Sequence, residues 1–439
     1  MSDTAPLVDR TYEFIIGDEE ERACRDIPDA ACTDVPRNFL FNAANGAMTK
    51  LAEQIVSPGL VLPWVLGAIG APAAMAAWLV PTKQAGSLLP QLFVAGWIRG
   101  LKRRKWVWFG AGITQAGCLF AMIFALGLPP LFAGLAIVSL LACFSIASGA
   151  GSVAFSDVVG KTIPKGRRGR LLAVRASIGG ALGLAAGSAL RLSGLDEAAS
   201  LGVFILLLGS GAMLWAVAAF TFAAITEEPG ATEGGENIIT RVISGTGHLR
   251  ESAALRRFIL ARGLLLSGEL AVPFLVLFGR ERISDKVADL GIFIMAVAFA
   301  NIISAPVWGK AADRSSRTVM AWAGLVTVAT VGVALVIGVL PETLRSAWLY
   351  AVVFFLIGLA QAGIRLGRKT YIVDLAPQDL KATYTALSNT IVGIIALASG
   401  LLGFVAGAFG AAVLLIVFAL SAGVGAVVSW SLPDVSTPD

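Results

Sequence analysis

Histidine occurs once in this chain, at position 248, which excludes a relay of imidazoles as a proton path. Cysteine occurs four times. Cys118 and Cys143 fall inside apolar runs and read as small packing residues. Cys24 and Cys32, in "ACRDIPDAAC", have no neighbouring histidine and lack zinc-ligand spacing, so no metal site is expected and both are expected to be free thiols of a reducing compartment. There is no Walker loop, so ATP is not the direct energy source. No nucleophile, acid and base stand in a catalytic pattern, so the chain is not expected to be an enzyme or to hold a cofactor.

Charge is scarcest of all. Asp, Glu, Lys and Arg make up 14% of the 439 residues, against about 25% in soluble domains. The first residues are acidic where a secretory signal is basic and then apolar: Asp3, Asp9, Glu13 and Asp18 to Glu21 stand against Arg10 and Arg22. The net charge of +5 gathers in short loops, which reports membrane topology and excludes a nucleic-acid partner.

What the chain has in plenty is apolar length. Hydrophobic residues make up 56% of it. Windows such as Trp106–Leu126, Phe204–Ile225 and Thr318–Leu340 are long enough to cross the hydrocarbon core as helices. Reading such windows between charged or Pro/Gly punctuation gives twelve segments: 38–66, 71–98, 106–127, 130–158, 169–192, 199–226, 253–279, 287–309, 318–340, 345–373, 382–407 and 409–431. The expected fold class is therefore an all-α membrane protein of twelve transmembrane helices. An acidic tail (1–37) precedes a first set of six helices (38–226). A polar loop (227–252) follows, then a second set (253–431) and a short tail (432–439). Lys and Arg crowd the loops after the second, fourth and eighth segments, so these loops and both termini are expected in the cytoplasm. Arg280, Arg282 and Lys286 fall on the far side, accompanied by Glu281 and Asp285.

A shift of 213 residues superposes Gly96 on Gly309, Arg104 on Arg317, Pro164 on Pro377, Ile178 on Ile391, Gly180 on Gly393 and Gly187 on Gly400. The matches fall at equivalent points of the two sets, which points to duplication into two six-helix pseudo-repeats that rock about a central site.

The loop "VWGKAADRSSR" places Gly309, then Asp313 and Arg314, then Arg317 between two apolar segments. With the twelve segments and the repeat, this spacing resembles the loop signature of the major facilitator superfamily, over residues 38 to 431. The first copy departs from it: "GWIRGLKRR" keeps Gly96 and Arg104 but has Gly100 where the aspartate belongs. The resemblance implies that fold, secondary transport, and a cytoplasmic gate built on Gly309, Asp313, Arg314 and Arg317. Asp374 is the expected carboxylate partner of the arginines, and Arg104, Asp157 and Arg175 are expected at the same gate. Gly179, Gly183 and Gly187, and likewise Gly403 and Gly407, repeat every four residues, and close helix contact is expected there, where the halves meet in this family. The proline-bearing glycine signature of drug antiporters is absent.

Ionisable residues inside spans are expensive and mark function by default. Glu53 lies mid-span beside Gln54, with Lys50 three residues before; Lys83 is at similar depth in the next segment and is a candidate ion-pair partner for it. Glu269 lies mid-span in the seventh segment, and Glu269 or Glu53 is expected to carry the coupling ion, H+ first and Na+ second. Gln361 and Arg365, with Lys83, Glu53, Gln54 and the aromatic Trp64, form the expected substrate site. Arg368 and Lys369 read as topology charges.

The expected function is alternating-access transport of a small organic solute, anionic or amphipathic, by a monomer in the lipid bilayer of a bacterial cytoplasmic membrane. Two alternatives stand beside it: an assembly factor that delivers pigment or lipid without pumping, and a lysophospholipid carrier, which would need a lateral opening.

Overall fold

The computed structural model describes residues 11–12, 32–91, 94, 97–98, 100–164, 166–193, 201–230, 247, 249–377 and 380–435. They are helical, with no β-sheet among them. The helices are α1 (Val35–Ile55), α2 (Val61–Ala68), α3 (Ala73–Leu88), α4 (Lys105–Ala125), α5 (Pro130–Thr162), α6 (Arg168–Leu192), α7 (Leu201–Ala223), α8 (Ala253–Leu265), α9 (Ser267–Leu270), α10 (Val272–Arg282), α11 (Val287–Arg314), α12 (Ser316–Val339), α13 (Ala347–Leu375), α14 (Lys381–Ser399), α15 (Gly403–Phe409) and α16 (Ala411–Trp430). Counting α8 to α10 as one, and α14 with α15, ten helical stretches among the described residues are long and apolar enough to cross a membrane. The first two expected spans fall on α1 to α3, where polar side chains and interruptions dilute the apolar run.

Proline sets the interruptions. Pro273 has no N–H to give the carbonyl of Glu269, so the span that starts at Ala253 is distorted between α9 and α10, with Leu266 and Ala271 at the segment joints still helical in conformation. Ser57, Pro58 and Gly59 separate α1 from α2, and the chain restarts with Leu60 N–H donating to Ser57 Oγ at 3.3 Å. The expected first span is therefore discontinuous just beyond Glu53, whereas the seventh is distorted around Glu269 but stays helical throughout.

Among the N-terminal helices, α4 packs on α5 and α7, α1 on α6 and α7, and α3 on α5; among the C-terminal ones, α12 packs on α13 and α16, and α11 on α13. Two seams join the sets, α6 against α11 and α3 against α14 and α15. Lipid tails are as apolar as leucine, so such contacts are held by close packing and interhelical hydrogen bonds. Gly187 and Gly291 meet backbone to backbone, and a Cβ on either would strike the other's carbonyl. Gly403 admits Ala77 of α3 in the same way, whereas Gly407 has nothing near it. The expectation for Gly179 and Gly183 needs correction: they make room for Lys50 and Gln54 of α1 and do not face the other helix set.

Polar cross-links tie α1 to its neighbours. Asn38 Nδ2 donates to the Thr226 carbonyl at 3.0 Å while its Oδ1 accepts the Thr226 N–H at 2.9 Å. Asn45 Nδ2 donates to the Ala218 carbonyl at 2.9 Å. Outward, Phe120, Phe124, Leu206, Met213, Phe220, Leu420 and Val427 are exposed, as a lipid-facing surface requires. Tyr12, from the acidic tail, is buried against Val35, Phe39, Val159, Ile163 and Leu171, with its hydroxyl accepting from Arg167. Apart from Thr11, the rest of residues 1–31, Cys24 included, and most of 227–252, His248 included, lie outside the described residues. Cys32 is disulfide-bonded, so the free-thiol expectation fails for it; lacking zinc spacing did not exclude a covalent link. Cys118 and Cys143 are free.

Candidate functional site: a central cavity between the helix sets

A cavity of about 730 Å³ lies between the helix sets. Its wall includes the end of α1 and the distorted turn of the seventh span. Glu53 and Gln54 close α1, and Glu269 sits on the single turn of α9. Lys83 enters from α3, Asn301 from α11, and Gln361 and Arg365 from α13. The cavity continues to the end of the molecule that carries the Lys and Arg clusters, where Arg368 and Lys369 line it. Both were expected to be topology charges. They belong to the cavity because spacings of three and four from Arg365 place all three on one helix face.

Five lining cations, Lys50, Lys83, Arg365, Arg368 and Lys369, face two lining carboxylates, Glu53 and Glu269. Glu53 pairs with Lys50 at 2.7 Å, one turn back on its own helix, and not with Lys83 as the sequence suggested. Lys83 instead donates to Ser148 Oγ at 3.2 Å and lies 4.9 Å from the centre of the Phe144 ring. Glu269 accepts a hydrogen bond from Gln84 Nε2, which joins α9 to α3 across the cavity. Arg365 donates to Asn301 Oδ1 at 3.2 Å. Gln361 reaches the Gly268 carbonyl at 3.4 Å, and Gln54 Nε2 donates to the Gly179 carbonyl at 3.1 Å. Lys83 and Arg365 therefore make no ion pair among the described residues, although the Glu53 charge reaches both.

The opposite end is closed. Trp64 is fully buried and does not line the cavity, which corrects its expected place in the substrate site. Its ring packs edge-on against Phe293 at 5.9 Å, and Phe293 stacks on Phe354 at 4.4 Å. Arg280 lies over Trp64, 5.6 Å from the ring centre, and donates to the Trp64 carbonyl at 3.4 Å. This arginine, anomalous as a topology charge, joins α10 to α2 across the closed end.

At the basic end, each helix set carries a clasp. Arg104 and Lys161 both pair with Asp157, Lys161 at 3.0 Å. Glu227, whose side chain has no exposure, accepts from Lys161 at 3.1 Å and from the backbone N–H groups of Arg104 and Lys105 at 3.0 and 2.8 Å. It thus neutralises the positive amino end of α4. In the second set Arg317 pairs with Asp434 at 3.2 Å and donates to the Leu432 carbonyl at 2.7 Å, while Ser315 Oγ donates to Asp434 at 3.2 Å. The partner of Arg317 is therefore Asp434 and not Asp374, which is exposed at the end of α13. Arg314 is exposed on the last turn of α11, where Gly309 also lies; Gly96 and the side chain of Asp313 lie outside what the structure describes. Arg175 is buried and donates to the Asn42 carbonyl at 2.9 Å, stacked on Phe155, so it fastens α6 to α1 apart from the Asp157 cluster.

Reading the sequence missed Gln84, Asn301, Glu227 and Asp434. A signal for the last two was present: each is an acid a few residues beyond the sixth helix of its set.

The chain matches the sequence profile of the Major Facilitator Superfamily over residues 43–399 and belongs to that family. No curated protein matches it at the sequence level. Among solved structures, a nucleoside transporter, NupG in its D323A mutant form, shares 14% identity at a TM-score of 0.67, over 90% of this chain and 99% of that one. A POT family transporter bound to a thioalcohol-conjugated peptide shares 14% at 0.66, over 93% and 98%. The inward-open xylose transporter XylE of E. coli shares 10% at 0.63, over 90% and 96%. At such identities the likeness is one of fold. Family and neighbours are those of transporters, not enzymes.

Proposed function

We propose that the chain moves a small organic anion across a bacterial cytoplasmic membrane by alternating access, through twelve spans with both termini inside, and that Glu269 carries the coupling proton. The observation that carries this reading is Lys83, a cation in the wall of the central cavity that makes no ion pair among the described residues, the carboxylate that acts on it, Glu53, being paired with Lys50. A buried ammonium is costly, and an anionic substrate would offset that cost in the loaded state. A broken first span and a proline-distorted seventh, at matching places in the two sets, support the same site, since irregular backbone marks ligand sites in transporters.

The state described corresponds to an inward-open carrier when the basic end is placed in the cytoplasm. Glu269 suits coupling because its hydrogen bond from Gln84 spans the cavity. Protonation would weaken this link between α9 and α3. The test is flux in vesicles holding the purified protein, screened against organic anions under an imposed pH gradient. Uptake that follows the gradient and loses that dependence in Glu269→Gln supports the proposal; flux indifferent to both overturns it.

A further inference from the structure

A second cavity opens sideways between α8, α14 and α16, with a volume of about 580 Å³. Its walls are apolar, with Ile259, Leu260, Leu264, Ile395, Val417 and Phe418 among them. Three hydroxyls also line it, and each is already used within the protein. Ser267 and Ser421 both donate to the Leu264 carbonyl, at 2.7 and 3.1 Å, and Ser399 donates to the Ala396 carbonyl at 2.6 Å. No serine hydrogen is therefore left to donate to a polar solute along the groove.

One charged group lines it, Arg256, on the first turn of α8 at the basic end. Its Nη1 donates to the Leu249 and Arg250 carbonyls at 2.6 and 2.8 Å, which fixes the guanidinium while its other N–H groups stay free to bind. Arg250 and Arg257 lie close by in sequence, with Glu251 the one acid among them. An apolar groove that ends in an oriented guanidinium at headgroup depth has the form of a phospholipid: acyl chain inside, phosphate outside.

We infer that the groove between α8, α14 and α16 binds one anionic phospholipid of the cytoplasmic leaflet, with its phosphate on Arg256 and an acyl chain against Leu260 and Phe418. Ser267 and Leu270 of α9 face this groove, whereas Glu269 of the same turn faces the central cavity. The lipid thus lies against the wall that holds the coupling carboxylate.

The test uses the full chain in detergent, with an equimolar mixture of phosphatidylglycerol and phosphatidylethanolamine of identical acyl chains, read by native mass spectrometry. One phosphatidylglycerol is retained in preference, and Arg256→Gln cuts that preference about fivefold, the worth of one interfacial cation. Arg257→Gln leaves the preference nearly intact, because Arg257 does not line the groove. Ser399→Phe, which fills the groove, removes the retained lipid of either kind. Equal retention of the two lipids by the unaltered chain overturns the inference. So does an equal loss in the two arginine variants, or full retention in Ser399→Phe.

Discussion

The carboxylate of Glu227 receives the backbone N–H of Lys105 at 2.8 Å, so the first residue after the central loop begins caps a helix 122 residues earlier. The same carboxylate holds the Arg104 N–H and the Lys161 ammonium. Glu227→Ala leaves two helix-end donors and one ammonium without their acceptor, and should cost about 3–5 kcal/mol of stability, the range for breaking a buried pair. Glu227→Gln keeps an acceptor and should cost less. Unfolding in mixed micelles measures both; equal losses would show that the charge is irrelevant.

Asp434→Asn should be milder. Arg317 and Asp434 are each about 30% exposed, at 29% and 32%, and solvent screens them. A loss of about 1 kcal/mol is expected, the upper end for exposed pairs. A loss as large as that of Glu227→Ala would mean that this clasp is as dry as the first.

Lys83→Met should weaken binding of the transported anion about tenfold or more, the worth of one charge-assisted bond in a dry site. Lys50→Met should weaken it less, because that ammonium is engaged with Glu53. Thermal shifts of the purified variants with a panel of organic anions give the ranking. Equal effects would remove Lys83 from its special place.

Gly187→Val sets a side chain against the carbonyl of Gly291 and must push α6 from α11 near the closed end. Overpacking costs about 1–3 kcal/mol, charged against the closed state alone, so the share open at that end should rise about tenfold. Labelling of a Ser57→Cys variant by an impermeant maleimide from the far side reads this share. Unchanged labelling would mean that the seam does not close the molecule.

Tyr12 should hold the tail in place from neutral pH up to about 10. Burial raises the pKa of its phenol above the ordinary 10, and Arg167 pulls weakly the other way. A group with a raised folded pKa contributes fully below its unfolded value and loses that contribution as pH rises past it. Proteolysis near Tyr12 should therefore be flat between pH 6 and 9 and rise above 10. A rise between 6 and 9 would contradict the burial.

Much of this molecule could be read from sequence because membranes permit few shapes. Apolar runs such as Trp106–Leu126 had to be helices, and Glu53, Lys83 and Glu269 had to face something other than lipid. Partners were harder to read. Lys50 or Lys83 could equally have met Glu53, and only helix rotation decides between them. Trp64 looked like a cavity aromatic because sequence gives its depth but not which side of the Phe293 stack it occupies. Arg317 was matched to Asp374 as a carboxylate at the cytoplasmic end of a helix, while the acid it uses lay in a tail that no apolar pattern describes.

The two acids that follow the sixth helix of each set leave each set fastened to itself. Glu227 and Thr226 close the first on α4 and α1, and Asp434 closes the second on α12. Each set thus carries its own closing contacts, made by Thr226 and Glu227 in the first and by Asp434 in the second. Two separate polypeptides, divided between residues 230 and 247 and made in one cell, should therefore each fold and then find one another along the two seams.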